Sequence, residues 1–181
     1  AANLARGLDF DLIHAHDWMT YPAAITIARA SGKPVILHVH SLESDRSGAC
    51  KNATIAQIEE TSLHAATAII AVSHYTRRRV IEDYKVPGEK IFAVHNGLSE
   101  RETIPSTKEG NDAYRVLFLG RVTFQKGPDY FIEAAALVLK ALPAVHFVMA
   151  GTGDMMPRMI ERVAELKIGA HFRFPGFLRG E

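Results

Sequence analysis

Residues 115–128, with the sequence RVLFLGRVTFQKGP, decide the fold of this chain. The run 116–119 is continuously apolar, which is typical of a parallel strand covered on both faces. Gly120 lets the chain leave the strand at a tight angle and leaves room for a ligand. Gly127 and Pro128 fit an N-cap and the first residue of a helix, because proline lacks only an amide that has no partner there. The stretch therefore predicts a strand, a loop with two cations and a helix, whose apolar positions are Tyr130, Phe131, Ala134, Ala135, Val138 and Leu142.

Arg121 and Lys126 are the chemically informative residues of this stretch. The predicted topology places both of them, with the positive end of the helix, at the carboxyl edge of a parallel sheet, where open α/β sheets bind ligands. Free helix amides, a guanidinium and an ammonium together suit a phosphate or a diphosphate. The alternative is a solvated loop whose two cations face water. We favour the anion site, because the loop lies between a strand and a helix.

The composition excludes several classes of protein. With 181 residues, of which 48% are hydrophobic, the chain can form a buried core. Its formal net charge of +1 gives no reason to expect nucleic acid or an anionic membrane as a partner. No apolar run reaches the length that crosses a bilayer, so we expect no transmembrane segment. Cys50 is the single cysteine, which rules out an internal disulfide and favours a reducing, cytoplasmic compartment.

The rest of the chain alternates between strand and helix patterns. Predicted strands cover 10–15, 34–40, 68–72, 91–94, 116–119, 145–150 and 170–174, and predicted helices cover 22–30, 53–66, 128–142, 155–166 and a stretch after Ser73. We interpret 41–48 as a loop and the run Arg77, Arg78 and Arg79 as a solvated helix face. Strict alternation of strands and helices predicts parallel sheets with helices on both faces.

A polar stretch divides this alternation into two parts. Residues 99–112 are rich in Ser, Thr, Glu, Lys, Gly and Asn, and a loop of this length is uncommon inside a compact domain. We therefore predict an α/β protein with parts of two Rossmann-like, parallel-sheet domains, residues 1–98 and 113–181, that face each other across a cleft. The chain begins without methionine and stops just after a strand, so we expect it to be a piece of a longer protein.

Two predicted strands end in a pair of histidines, His14 with His16 and His38 with His40. Alternation along a strand places the members of each pair on one face. If the strands are neighbours, the four imidazoles and Asp17 converge into a candidate zinc or iron site. The alternative that we favour takes Asp17 and His40 as functional and His14 and His38 as interior scaffold. His-X-His pairs on buried strands are often packing residues.

A second glycine motif, GTGD at 151–154, follows an apolar strand and precedes a helix. A lone Gly-X-Gly is weak support for dinucleotide binding, and Met156 and Pro157 occupy the end of what would be the full fingerprint. We interpret the motif as a turn whose glycines allow close approach to a ligand, with an ordinary turn as the alternative.

In this order and at these separations the motifs resemble those of the glycogen-synthase-like glycosyltransferases, a retaining family of GT-B fold. The resemblance covers almost the whole chain, and its strongest element is the Gly-Arg…Lys-Gly pattern of residues 120–127. The other elements are HAHDW at 14–18, HSLE at 40–43, AVS at 71–73, HNG at 95–97, GTGD at 151–154 and PGF at 175–177.

The resemblance implies transfer of a sugar, glucose or a related hexose, from a nucleotide-sugar donor to the hydroxyl of a sugar or glucan acceptor. It also implies retention of the anomeric configuration, with no cofactor and no required metal. Arg121 and Lys126 match the pair that binds the donor diphosphate and stabilises its departure, and fixed cations do stabilise charge on a leaving phosphate. His40 matches a histidine that contacts the donor sugar near the reacting centre.

The same resemblance assigns further residues to each side of the site. The donor side comprises Gly120, Gly151, Gly153 and Asn96, the last of which matches, with Gly97, the hinge between the domains. The acceptor side comprises Asp17, His16 and Ser41.

Two motifs of the family are absent from these 181 residues. A Glu-X7-Glu element is expected beyond Glu181, and a glycine-rich loop is expected before Ala1. Ile55 stands where relatives that use sugar-phosphate acceptors have an arginine, which favours an uncharged acceptor. Two other functions stay open: a nucleotide-sugar epimerase of the same fold, and a non-catalytic nucleotide-binding module. We expect the 181 residues alone to bind nucleoside diphosphates without magnesium and to transfer no sugar.

Overall fold

A computed structural model describes residues 2–48, 50–97 and 114–179 of the protein. The chain divides into two compact units, Ala1–Thr103 and Ile104–Glu181. The division falls within the stretch 99–112 that the sequence predicts as a linker. That stretch lies wholly within 98–113, outside the described residues, so the linker stays a prediction. None of the helices in the described ranges is long and apolar enough to cross a membrane.

The first unit contains a parallel sheet of four strands in the order β1-β2-β3-β4. The strands are β1 Ile13–His16, β2 Val35–Val39, β3 Ala68–Ala71 and β4 Ile91–Ala93. The helices are α1 Ala2–Ala5, α2 Tyr21–Ser31, α3 Glu43–Ser47, α4 Ala53–Ala65 and α5 His74–Tyr84. The predicted loop at 41–48 was wrong in part, because it contains α3. The Asp45 carboxylate accepts a hydrogen bond from the backbone N–H of Leu42 (2.9 Å) and so stabilises the first turn of this helix.

The strand order of this sheet decides which of its faces is covered. Each strand lies beside the one before it, and right-handed crossovers that always step in one direction place their helices on the same face. One buried cluster accordingly joins strand residues such as Leu37 and Ile69 to helix residues such as Leu63 and Val80. On the opposite face the side chains are exposed or half-buried, and Phe92 is 56% exposed. The predicted covering of both faces was therefore wrong for the described residues.

The second unit contains a parallel sheet of three strands in the order β5-β6-β7. The strands are β5 Arg115–Leu119, β6 His146–Ala150 and β7 Phe172–Gly176, and the helices are α6 Pro128–Ala141 and α7 Met156–Glu165. Short 3₁₀ turns lie at Phe124–Lys126 and Gly169–His171. The core is one cluster of apolar side chains from both helices and all three strands: Val122, Ile132, Ala135, Val145, Phe147, Met149, Met159, Val163 and Phe172, with Phe118 packed against it.

Two predictions about burial in this unit were wrong. Leu117 is 56% exposed and Leu119 is 71% exposed, because the described helices cover one face of the sheet and β5 lies at its edge. In α6 the prediction was wrong in part, because Tyr130 is 78% exposed and Ile132, which it left out, is buried. Ala135 is buried and Phe131 packs against the core, as predicted.

Candidate functional site

The loop between β5 and α6 has the predicted strand–loop–helix form. Gly120 has φ +152°, a value that L side chains rarely adopt, and the chain turns there out of β5. Gly127 caps α6 with φ +62°, and Pro128 begins the helix. Arg121 and Lys126 are both exposed, and within the described residues neither side chain forms an ion pair. The loop therefore presents two cations beside the N-terminus of a fourteen-residue helix.

Backbone hydrogen bonds hold this loop against the loop that follows β6. The N–H of Gly120 donates to Ala150 O (3.0 Å), and the N–H of Val122 donates to Thr152 O (2.9 Å). In the other direction the N–H of Met155 donates to Val122 O (3.1 Å). Val122 is fully buried beneath the loop. Arg121 is thus exposed on a backbone that is fixed on both sides, so only its side chain has to become ordered when an anion binds.

Gly151 and Gly153 allow this contact between the two loops. A Cβ atom at Gly151 would lie 1.8 Å from Gly120 O, and one at Gly153 would lie 2.2 Å from Val122 O. Both distances are far inside van der Waals contact, so any side chain at these positions would displace the neighbouring loop. The close approach that these glycines permit is made by the protein's own backbone, which the sequence did not predict.

A pocket of about 290 Å³ opens beside these loops. It lies at the carboxyl ends of β5 and β6 and next to the residues after β7, which is the edge where parallel sheets bind ligands. Its lining residues are Leu119, Gly120, Arg121, Ala150, Gly151, Thr152, Phe177 and Leu178. Of the predicted donor-side residues, the structure places Arg121, Gly120 and Gly151 in this lining. Lys126 follows along the same loop, in the 3₁₀ turn that precedes α6.

The predicted acceptor-side residues assemble at the carboxyl edge of the first unit's sheet. The backbone N–H of His40 donates to Asp17 Oδ1 (2.9 Å), and His16 Nδ1 lies 2.9 Å from His40 Nε2. Asp17 has φ +57°, and the Thr20 hydroxyl donates to the carbonyl oxygens of His16 (2.8 Å) and Asp17 (3.1 Å). These contacts join the ends of β1 and β2 and fix the three side chains relative to one another.

Four histidines lie together: His14 and His16 of β1, His38 of β2, and His40 directly after β2. The ring centroids of His38 and His40 are 4.3 Å apart, those of His16 and His38 are 4.8 Å apart, and those of His14 and His38 are 5.4 Å apart. His14 is exposed on the open face of the sheet, so its predicted interior position was wrong. His38 is half-buried, and within the described residues neither of its buried ring nitrogens has a hydrogen-bond partner.

The environment of these rings disfavours protonation. Burial, together with repulsion from the neighbouring His40, His16 and His14, lowers the pKa of His38 from 6.5 to about 4. Burial followed by repulsion from His16 and His40 lowers the pKa of His14. Both imidazoles are therefore neutral at pH 7 and have a nitrogen lone pair free to accept a proton or a metal ion.

A buried polar network lies behind Ser41 and was missed in the sequence. Arg46 Nη1 donates to the carbonyl oxygen (3.0 Å) and the hydroxyl oxygen (2.9 Å) of Ser41, and Arg46 Nη2 donates to Glu59 Oε1 (2.5 Å). Glu59 is 1% exposed and also accepts from the Tyr84 hydroxyl (2.5 Å) and from the backbone N–H of Glu43. The network ties the segment after His40 to α4 and α5.

The hydrogen bonds and ion pairs of Glu43 and Glu59 explain why these two carboxylates tolerate burial. Burial acts to raise the pKa of Glu43, but hydrogen bonds from Ser47, Asn52 and Arg46 outweigh it and leave the pKa lowered. A sequence signal for Glu59 exists, since it lies four residues after Ile55 and four before Leu63 on the inward face of α4.

The remaining predicted residues lie elsewhere. Asn96 is exposed three residues after β4, in the first unit. Of the three arginines in α5 only Arg78 is exposed. Arg77 donates to the carbonyl oxygens of Ile91 (2.9 Å) and Gly88 (2.8 Å), and Arg79 pairs with Asp83 (2.6 Å). The predicted solvated arginine face was therefore wrong for two of its three members.

Family models match both parts of the chain. Residues 1–102 match the family described as Glycosyltransferase Family 4, and residues 99–181 match the one described as Glycosyl transferases group 1. The chain is similar to an uncharacterized glycosyltransferase of Methanocaldococcus jannaschii (29% identity, 97% of this chain and 49% of the relative). It is also similar to D-inositol 3-phosphate glycosyltransferase 1 of Catenulispora acidiphila (30% identity, 91% of this chain and 45% of the relative).

A third relative is the glycogen synthase of Mycobacterium tuberculosis (24% identity, 93% of this chain and 42% of the relative). The chain thus spans about half the length of the curated relatives it matches. Among solved structures, HepE of Anabaena in complex with UDP and glucose matches with a TM-score of 0.79 and 19% identity, over 94% of this chain and 48% of that one. S. aureus TarM matches with a TM-score of 0.76 and 16% identity, over 98% of this chain and 36% of that one. The predicted α/β fold of GT-B type, with two parallel sheets, is confirmed.

Proposed function

This chain belongs to glycosyltransferase family 4, with its second part in group 1, and we propose that its gene product transfers a sugar from a nucleotide-sugar to an acceptor hydroxyl. The observation that carries the proposal is the loop of Arg121 and Lys126. It presents two exposed cations and a helix N-terminus at the carboxyl edge of the sheet, beside a pocket that Arg121 lines.

The chemistry of the loop matches the leaving group of such a reaction. When a glycosyl bond to a nucleoside diphosphate breaks, negative charge accumulates on the diphosphate oxygens. Preorganised cations and helix amides stabilise that charge, and the backbone of Arg121 is already held by hydrogen bonds on both sides. We propose that this electrostatic stabilisation replaces a divalent metal, so that transfer is metal-independent. The Lys126 ammonium complements Arg121 as a point charge.

The acceptor side of the proposal rests on the first unit. His16, Asp17 and His40 are joined by hydrogen bonds at the carboxyl edge of its sheet, and Ser41 is fixed beside them by Arg46. We assign His40 to the reacting centre, where its free ring edge contacts the donor sugar, and Asp17, His16 and Ser41 to the acceptor. Asn96 and Gly153 complete the proposed donor side.

The relatives support finer proposals about the sugar and the acceptor. We propose a retaining reaction with glucose or a related hexose as the transferred sugar, and a sugar or glucan as the acceptor. A glycogen synthase among the relatives and a structural neighbour crystallised with UDP and glucose support this choice. Because the chain spans about half of its relatives, we propose that the 181 residues alone bind nucleoside diphosphates and transfer no sugar.

The test is a screen of the full-length gene product against nucleotide-sugars, with released nucleoside diphosphate and new glycosides measured by mass spectrometry. We expect turnover without added metal, and a loss of about 100-fold or more in Arg121→Ala and in Lys126→Ala. Lys140→Ala, which removes a cation from the last turn of α6, is the matched control and keeps normal turnover. Full activity in both loop variants would instead favour the alternative, a solvated loop whose two cations face water.

A further inference from the structure

We propose that His14, His16 and His38 form a binding site for a divalent transition metal ion, best matched by Zn²⁺, on the open face of the first unit's sheet. Parallel pairing of β1 with β2 brings them together, because His16 is the register partner of His38 and His14 lies on the same face of β1. One ring nitrogen from each of the three residues lies within 4.8 Å of one from each of the others.

The distances suit a metal ion after small side-chain rotations. Zn²⁺ binds imidazole nitrogens at about 2.0–2.1 Å, so nitrogens on one tetrahedral ion are about 3.4 Å apart. The three nitrogens therefore need to approach by at most about 1.4 Å. Within the described residues His14 and His16 are exposed, so rotation of their rings disturbs no core packing there. Three imidazoles with an open fourth position are a donor set that zinc, copper, nickel and iron accept.

His38 provides the strongest reason to expect a ligand. Both of its ring nitrogens are buried, and within the described residues neither has a hydrogen-bond partner. Buried polar atoms in native proteins almost always have one. The other two rings lie close to it on the same face, with centroids 4.8 Å (His16) and 5.4 Å (His14) from that of His38. A metal ion satisfies a lone pair that the protein leaves unpaired.

His16 links this site to the proposed reacting centre. Its Nδ1 lies 2.9 Å from His40 Nε2, which leaves its Nε2 for the metal. Ligating histidines commonly donate their other N–H to an acceptor, and here the acceptor is His40 Nε2. His40 then carries its own proton on Nδ1. The site goes beyond the proposed function, which requires no metal. Its effect is to fix the tautomer of His40, whose place at the reacting centre rests on that proposed function.

The test uses the full-length gene product purified without a histidine tag or metal column. Equilibrium dialysis against Zn²⁺ with elemental analysis measures stoichiometry and affinity, and Co²⁺ provides a visible absorption spectrum as a second readout. We compare His14→Gln and His38→Gln with His146→Gln and His171→Gln, which alter another pair of neighbouring imidazoles in the second unit (ring centroids 5.8 Å apart). Because His14 is exposed, His14→Gln removes a ligand without removing core packing.

We expect about one Zn²⁺ per chain, a loss of affinity of about 10-fold or more in each first-unit variant, and no change in the controls. His40→Ala keeps the stoichiometry, because His40 is not a ligand. Absence of stoichiometric Zn²⁺, or equal affinity in His14→Gln and the wild type, would overturn the proposal. Titration with UDP is unaffected by His14→Gln in either case, so a failure here is distinguishable from a failure of the proposed transferase function.

Discussion

Gly153→Ala tests whether the two loops at the candidate donor site hold each other in place. The new Cβ atom would lie 2.2 Å from Val122 O and 2.5 Å from Val122 C, so the carbonyl group must move by on the order of 1 Å to restore contact distance. Val122 cannot move freely, because it is fully buried, its N–H donates to Thr152 O and its carbonyl accepts from Met155 N. Overpacking and the loss of one backbone hydrogen bond together cost about 2–4 kcal/mol.

The assay is urea unfolding of the full-length gene product, followed by circular dichroism, together with calorimetric titration of UDP. Gly169→Ala is the matched control, since nothing lies within 4 Å of a Cβ atom at that position. We expect it to change the free energy of unfolding by less than about 0.5 kcal/mol. Because a displaced Val122 also shifts Arg121, Gly153→Ala should weaken UDP binding as well. Equal stability and equal UDP affinity in the two variants would refute the proposed contact between the loops.

Three further predictions concern the first unit. Glu59→Ala removes the buried partner of Arg46 and Tyr84 and should lower the free energy of unfolding by about 3–5 kcal/mol. Glu60→Ala, at the exposed neighbouring position, should change it by less than about 0.5 kcal/mol. Similar urea midpoints for the two variants would contradict the buried network. In the metal-free protein, folded His38 binds a proton only near pH 4, but unfolded His38 binds one near pH 6.5. The free energy of unfolding should therefore fall as the pH drops through this interval, and a His38→Asn variant with the same pH slope would refute this origin. His40→Ala should lower turnover strongly and change the melting temperature little, because the exposed ring contributes little packing. A large drop in melting temperature with normal turnover would contradict the assignment of His40 to the reacting centre.

Local sequence patterns predicted the elements of this fold well. The apolar run of β5, the glycine after it and the Gly127–Pro128 boundary of α6 each depend on neighbours within a few residues, and all three lie where predicted. The same local information does not say which face of a strand another element covers. The pattern predicted that Leu117 and Leu119 are buried, but they are exposed, because the order of the strands places the helices on the other face of the sheet.

The candidate site shows the same division between local and distant information. The convergence of the histidines was predicted on the condition that β1 and β2 are neighbours, and the sheet order meets that condition. Glu59 was missed because its partners lie 13 and 25 residues away along the chain. The role of Gly153 was also missed, because the atom that excludes a side chain there belongs to Val122, on another loop.

The most direct test of the account is calorimetric titration of the full-length gene product with UDP and ADP, with and without Mg²⁺. We predict binding that does not depend on Mg²⁺ and that is unchanged in Lys140→Ala. In Arg121→Ala it should weaken by about 10-fold or more, because a charge-assisted contact to the diphosphate is lost. Binding that requires Mg²⁺, or that is as strong in Arg121→Ala as in the wild type, would contradict the claim that this loop binds the diphosphate.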